Sequence, residues 1–171
     1  MNYKKYAILN NRCLNMFRCS LTILFLAFFA GCWNFWEKSN GPALKLINVL
    51  DKSYFDDCHI KGSINIPFEE FEKSLKNLSK DDGYVLYCSN YACTAAPYAA
   101  QLMKDMGFSQ VALLPGGVVE WYQKGLPCNG SCQLQYLKED NPELDADAHG
   151  DLESLTPEQL YGKLKEAKLI E

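Results

Sequence analysis

Between Leu44 and Trp121 the apolar positions alternate between two patterns. Four short runs are almost continuously apolar: LKLINVL (Leu44–Leu50), INIP (Ile64–Pro67), YVLYC (Tyr84–Cys88) and VALLP (Val111–Pro115). Their length and continuity predict strands covered on both faces. The intervening stretches have helical spacing. FEEFEKSLKNL sets Phe68, Phe71, Leu75 and Leu78 on one side with charges between them. A helix is predicted over Thr94–Met106, with Ala95, Tyr98, Leu102 and Met106 near its apolar face. Pro97 falls in the first turn, where a missing N–H is tolerated, and Gly107 suits the stop. DKSYFDDCHIKGS reads as a helical turn and loop, and VVEWYQKG as a short helix after the Gly116–Gly117 turn. Trp121 is predicted to be core. Strands alternating with helices predict an α/β fold, with a central, mostly parallel sheet and helices on both sides.

The two ends follow other patterns. Lys4, Lys5, Arg12 and Arg18 precede the apolar run Leu21–Ala30, which has the length of a signal-peptide core rather than of a membrane span. Ala30, Gly31 and Cys32 follow, and this resembles the lipobox of bacterial lipoproteins, with Phe29 where Leu is usual. The resemblance implies a signal peptide over 1–31, beginning at Met1 or at Met16, lipidation of Cys32, and a tether over 32–43. It also implies an extracytoplasmic protein, lipid-anchored to a bacterial membrane. Trp33 after the lipidated residue favours the outer membrane, on its periplasmic side, in a Gram-negative cell.

At the other end, residues 131–153 read as an acidic linker; from Glu139 to Glu153 it carries seven acids and no Lys or Arg, so His149 there reads as solvated. LTPEQLYGKLKEAKLIE then predicts a C-terminal helix within 154–171, capped by Thr156 and Gln159. Charge narrows the function. From Cys32 onward the chain has 13 Lys, no Arg and 21 acidic residues. An acidic body without a basic patch argues against nucleic-acid binding.

The chain has eight Cys. Removal of the signal and lipidation of Cys32 leave Cys58, Cys88, Cys93, Cys128 and Cys132, an odd number in an oxidising compartment. Cys128 and Cys132 in CNGSC are expected to form a small structural disulfide. A metal site is not expected, because no His or third Cys stands near them with zinc spacing. His59 is expected to pack and hydrogen-bond.

LINVLDKSYFDDCHIKGSINIPFEEF, YVLYCSNYACTAAPYAAQLMKDMGF and VALLPGGVVEWYQKGLP follow one another in the order of the rhodanese-like domain, and the chain resembles that family from about Leu44 to Pro127. The resemblance implies a three-layer α/β/α sandwich over 44–130. It implies a sulfurtransferase in which Cys88, at the end of a strand, carries a persulfide. No cofactor is implied. The partners would be a sulfur donor and a thiol acceptor, small molecules or proteins.

Family members commonly read Cys-Arg-x-Gly-x-Arg in the loop, where this chain has Cys88, Ser89, Asn90, Tyr91, Ala92 and Cys93. No Arg follows Arg18, so no guanidinium fork can replace the one that Cys93 displaces. The expected anion cradle is therefore the backbone of Ser89, Asn90, Tyr91, Ala92, Cys93 and Thr94 leading into a helix N-terminus, a setting that lowers a thiol pKa. Without Arg, thiosulfate and phosphate lose their strong binder. Cys93 also opens an alternative, a Cys88/Cys93 thiol–disulfide oxidoreductase with Cys93 as the resolving thiol. A catalytically inactive module for protein binding is a third reading, with Cys88 as a packed thiol.

The family's usual opening, a strand and a helix of the type Ile-Ser-Pro-Glu-Glu-Leu, is missing before Leu44. SLTPEQLYGKLKEAKLIE resembles it. Leu155–Ile170 is therefore expected to dock where an N-terminal strand and helix normally lie, as a permuted part of the fold.

Overall fold

The computed structural model describes residues 42–142 and 151–171. The signal peptide, the lipidation site Cys32 and nearly all of the tether lie outside the described residues. Among those residues no helix is long and apolar enough to cross a membrane.

Strand β1 (Leu44–Asn48) leads through helix α1 (Lys52–Asp57), the two-residue strand β2 (His59–Ile60) and strand β3 (Ser63–Asn65) to helix α2 (Phe68–Ser74). Strand β4 (Gly83–Tyr87), helix α3 (Ala95–Asp105), strand β5 (Val111–Leu113) and helix α4 (Gly117–Gln123) follow. The short strand β6 (Cys128–Asn129), strand β7 (Glu153–Ser154) and helix α5 (Pro157–Glu166) complete the chain. Five strands form one sheet in the order β3-β1-β4-β5-β7. All four pairings are parallel. β2 and β6 pair antiparallel beside it.

The near-continuous apolar runs of β1, β4 and β5 have the reason expected of them. Leu46, Val85, Tyr87 and Ala112 enter one core, with Trp121 of α4 and Leu160 and Leu164 of α5. Ile47, Tyr84, Leu86, Val111 and Leu113 enter the other, with Phe71 of α2 and Ala96, Ala99, Ala100 and Met103 of α3. Successive strand residues point to opposite faces, so both faces need apolar cover. The fold is an α/β sandwich of three layers, with a parallel central sheet.

Three expectations change. In α3 the buried stripe is Ala96, Ala99, Ala100 and Met103. Tyr98 and Met106, predicted to face inward, are exposed. The stripe of small residues lets the helix lie close to the sheet, which the larger side chains would prevent. Residues 131–142, read as part of an acidic linker, instead pack: Leu137 is buried among Trp121 and its neighbours. The hydroxyl of Ser131 and the amides of Gln133 and Leu134 bond to the Asp57 carboxylate. The expected Cys128–Cys132 disulfide is replaced by Cys58–Cys132, across 74 residues of sequence. Cys128 is free. The β2–β6 ladder brings Cys58 to this corner, and spacing along the chain could not show that.

The tail docks on the sheet. β7 runs parallel to β5, pairing Glu153 with Ala112 and Ser154 with Leu113. Thr156 and Gln159 cap α5 reciprocally, as their spacing predicts. Leu160 and Leu164 are fully buried.

Candidate functional site

The site begins where β4 ends. Cys88 follows Tyr87 and points to the α3 side of the sheet, where it is 2% exposed. The loop from Cys88 to Thr94 then turns into α3. Its outer wall is the start of α4, where the Val118 amide donates to the Cys88 carbonyl at 3.0 Å and the Val119 amide to the Ser89 carbonyl at 2.9 Å. This approach needs glycine at 117. The residue has φ +60°, and a Cβ there would sit 2.5 Å from the Ser89 carbonyl group and 2.6 Å from the Cys88 oxygen.

A third segment closes over the loop. Asn141 accepts from the Tyr91 amide and donates to the Gly116 carbonyl, each at 3.1 Å, so one side chain ties the two turns together. The Tyr91 hydroxyl donates to Glu120 of α4 at 3.1 Å. Gly117, Glu120 and Asn141 thus shape the loop, although sequence reasoning did not select them. The Gly-Gly pair was a visible signal for the first. Asn141 gave none, since it lies 50 residues from its partner.

Among the expected cradle residues, the Ser89 amide faces both sulfurs, and the Ser89 hydroxyl also reaches Cys93. The Tyr91 amide goes to Asn141, and the Cys93 amide to the Asn90 carbonyl. Ala92 and Thr94 are exposed, and Thr94 makes no side-chain cap. Two residues outside the expected set complete the cradle: the Ala95 amide toward Cys93 and the Ala96 amide toward Cys88. These are the first amides of α3, which have no partner within the helix.

Cys88 and Cys93 are shifted in opposite directions. The Cys88 thiol donates to the Cys93 carbonyl at 3.3 Å. The Cys93 side chain beside it, burial and the Cys93 charge together raise the Cys88 pKa well above the ordinary value. The Cys88 side chain in turn lowers Cys93 to about 5, against the opposing effect of burial and with help from the Ala95 and Ser89 amides. The two shifts favour the thiolate at half-buried Cys93 and the thiol at Cys88.

On the far face of the sheet, Tyr87 donates or accepts at the Ser63 hydroxyl (2.8 Å) and accepts from the Ile60 amide (3.1 Å), fixing the strand that ends in Cys88. His59 packs as expected, stacked on Phe55 with its Nδ1 2.7 Å from the Phe55 carbonyl.

The family model of the rhodanese-like domain matches residues 34–124, more than half of the chain. The chain belongs to the rhodanese-like domain family. Its relatives include sulfurtransferases. The probable adenylyltransferase/sulfurtransferase MoeZ of Mycobacterium tuberculosis is 36% identical over 52% of this chain and 22% of its own length. The thiosulfate sulfurtransferase GlpE of Shewanella oneidensis is 24% identical over 51% of this chain and 84% of its own. The Rhodanese_3-like domain of the Anabaena Alr3790 protein is 28% identical over 51% of this chain and 99% of its own, with a TM-score of 0.46. The chain spans 36%, 43% and 22% of the length of three of the curated relatives it matches. The rhodanese-like match stops before β7 and α5, which contribute to the same sheet and core.

Proposed function

We propose that this rhodanese-like domain is a sulfurtransferase that carries sulfane sulfur as a persulfide on Cys88, with Cys93 as its proton acceptor. The observation that carries the reading is the pair of free cysteines in the loop that enters α3, with the Cys88 thiol 3.3 Å from the Cys93 carbonyl. In the proposed step Cys93 takes the Cys88 proton as the Cys88 sulfur attacks the outer sulfur of a donor persulfide, RSSH. The donor's S–S bond breaks, a Cys88–S–SH persulfide forms, and the leaving RS⁻ takes its proton from Cys93. A thiol acceptor reverses the sequence. Deep burial of Cys88 means that the donor reaches it past half-buried Cys93. A resident thiolate in a loop without Arg disfavours doubly anionic donors such as thiosulfate, so the donor class is a persulfide of low charge, on a protein or a small molecule.

The same pair supports a second reading. Cys93 thiolate can attack the Cys88 persulfide, forming a Cys88–Cys93 disulfide and expelling hydrosulfide. The domain would then act as a thiol–disulfide oxidoreductase, reset by an external dithiol. Mass spectrometry after treatment with a persulfide donor separates the two. One added sulfur on Cys88, formed more slowly in Cys93→Ser and lost in Cys88→Ser, is the expected result. Rapid conversion to a Cys88–Cys93 bridge with release of sulfide favours the second reading. Failure to modify either residue overturns both.

The setting is part of the proposal. A lipid anchor on Cys32 would hold the domain on the extracytoplasmic side of a bacterial membrane. We likewise propose that residues 154–171 are a permuted strand and helix of the fold. The parallel β7–β5 pairing and the burial of Leu160 and Leu164 support this. A rearranged chain with 151–171 moved in front of Pro42 through a flexible linker is expected to fold with the same thiol titration. A molten product would overturn the idea.

A further inference from the structure

A second sulfur cluster lies on the opposite face of the sheet from Cys88. The sulfurs of Cys58, Cys128 and Cys132 are all within 4.8 Å of one another. Cys58 and Cys132 are bonded, and Cys128 keeps its thiol. We propose that the three form a sulfur-exchange centre, in which the Cys128 sulfur attacks the Cys58 sulfur and expels Cys132. The Cys58–Cys132 bond breaks, a Cys58–Cys128 bond forms, and the proton of Cys128 passes to Cys132. One disulfide and one thiol exist before and after, so no outside oxidant or reductant is needed. This centre does not depend on sulfur transfer at Cys88.

Three observations carry the inference. First, the β2–β6 ladder sets Ile60 opposite Cys128, which holds Cys128 diagonally across from Cys58. An intramolecular thiol held this way acts at a very high effective concentration. Second, solvation decides which sulfur is attacked. Cys58 is 0% exposed, whereas Cys132 is partly exposed, so Cys132 is the better-solvated leaving thiolate. Third, the buried Tyr136 hydroxyl beside the cluster has no hydrogen-bond partner. It is a free donor for a thiolate formed at Cys128. Burial pushes the Cys128 thiol up to about 11, so it rests in its neutral form and exchange is slow.

The exchange moves the free thiol from half-buried Cys128 in β6 to half-buried Cys132 in the loop that follows. The segment around Cys132 does not come loose, because its amide still donates to the Asp57 carbonyl at 2.8 Å. Cys132 then carries the thiol, outside the β2–β6 ladder that holds Cys128, and can join a disulfide of low molecular weight or a protein disulfide.

Peptide mapping of the full chain tests this. The protein is incubated without added thiol, then labelled with iodoacetamide and digested under non-reducing conditions. Apart from label on Cys93, label within this corner is expected on Cys128 at first and increasingly on Cys132, together with a Cys58–Cys128 cross-link. Cys128→Ser is expected to keep Cys58–Cys132 alone, with no label on Cys132. Cys132→Ser, treated with oxidised glutathione, is expected to close a Cys58–Cys128 bond. Label that within this corner stays on Cys128 after long incubation overturns the proposal. So does a Cys132→Ser protein that carries glutathione on Cys58 or Cys128 instead of joining them.

Discussion

The residue that departs most from the family pattern, Cys93, is also the one whose chemistry the fold changes most. Where an Arg would bring positive charge, Cys93 brings a thiol whose ionised form is favoured by the Cys88 side chain and the Ala95 and Ser89 amides. Cys93 is expected to react with iodoacetamide at pH 6, with a midpoint near 5, and Cys88 is expected to stay protected. Cys88→Ser should remove the side chain that stabilises the thiolate and move the midpoint up toward the ordinary thiol range. Stability follows the same linkage. A thiol lowered from 9.0 to about 5 contributes stability that is complete above the unfolded value and lost as pH falls through the folded one. Urea midpoints of the wild type should therefore fall between pH 8 and pH 5 more than those of Cys93→Ser. Equal slopes would show that the charge is elsewhere. Position 88 at a strand end was legible in the sequence, as was the loss of Arg. The opposite shifts of the two thiols were not, because they depend on how the loop folds Cys93 back against Cys88.

At the scale of elements, the strands and most helices were readable because each is covered in a periodic way. β1, β4 and β5 are apolar on both faces, and α5 carries its cap in its sequence. The face of α3 was misread because alanine is a weak hydrophobic signal, while close helix–sheet contact selects it. The wall formed by α4 was half visible. Gly-Gly indicated a turn, but not that Gly117 must clear the carbonyls of Cys88 and Ser89. Gly117→Ala is expected to force the sulfur loop and α4 apart, with a loss of about 1–3 kcal/mol from the left-handed backbone alone. A pH midpoint for Cys93 that shifts in this variant would show the loop displaced, whereas an unchanged midpoint and stability would show that the contact yields cheaply. Asn141 and the Cys58–Cys132 pair belong to the same class of feature. Each joins residues far apart in the chain, which no local pattern reports.

At the scale of the molecule, the two cores have different chemistry. One holds the Cys88/Cys93 pair beneath α3, and the other holds Trp121, the three-cysteine corner and α5. Sulfur chemistry on one face can therefore be altered without touching the other. Leu160→Ala in α5 is expected to cost about 2–5 kcal/mol in unfolding free energy, the usual range for a buried leucine. The Cys93 titration should persist in the part that remains folded. A loss below about 1 kcal/mol would show α5 to be peripheral.

The placement of β7 also governs when the architecture can be finished. The outer neighbour of β5 comes from residues near position 153, and Ile170 is buried. During synthesis, one flank of the sheet stays uncovered until almost the last described residue has been made. Until then the emerging polypeptide presents an open β5 edge to the ribosome's surroundings, and a holding chaperone would find its binding site there.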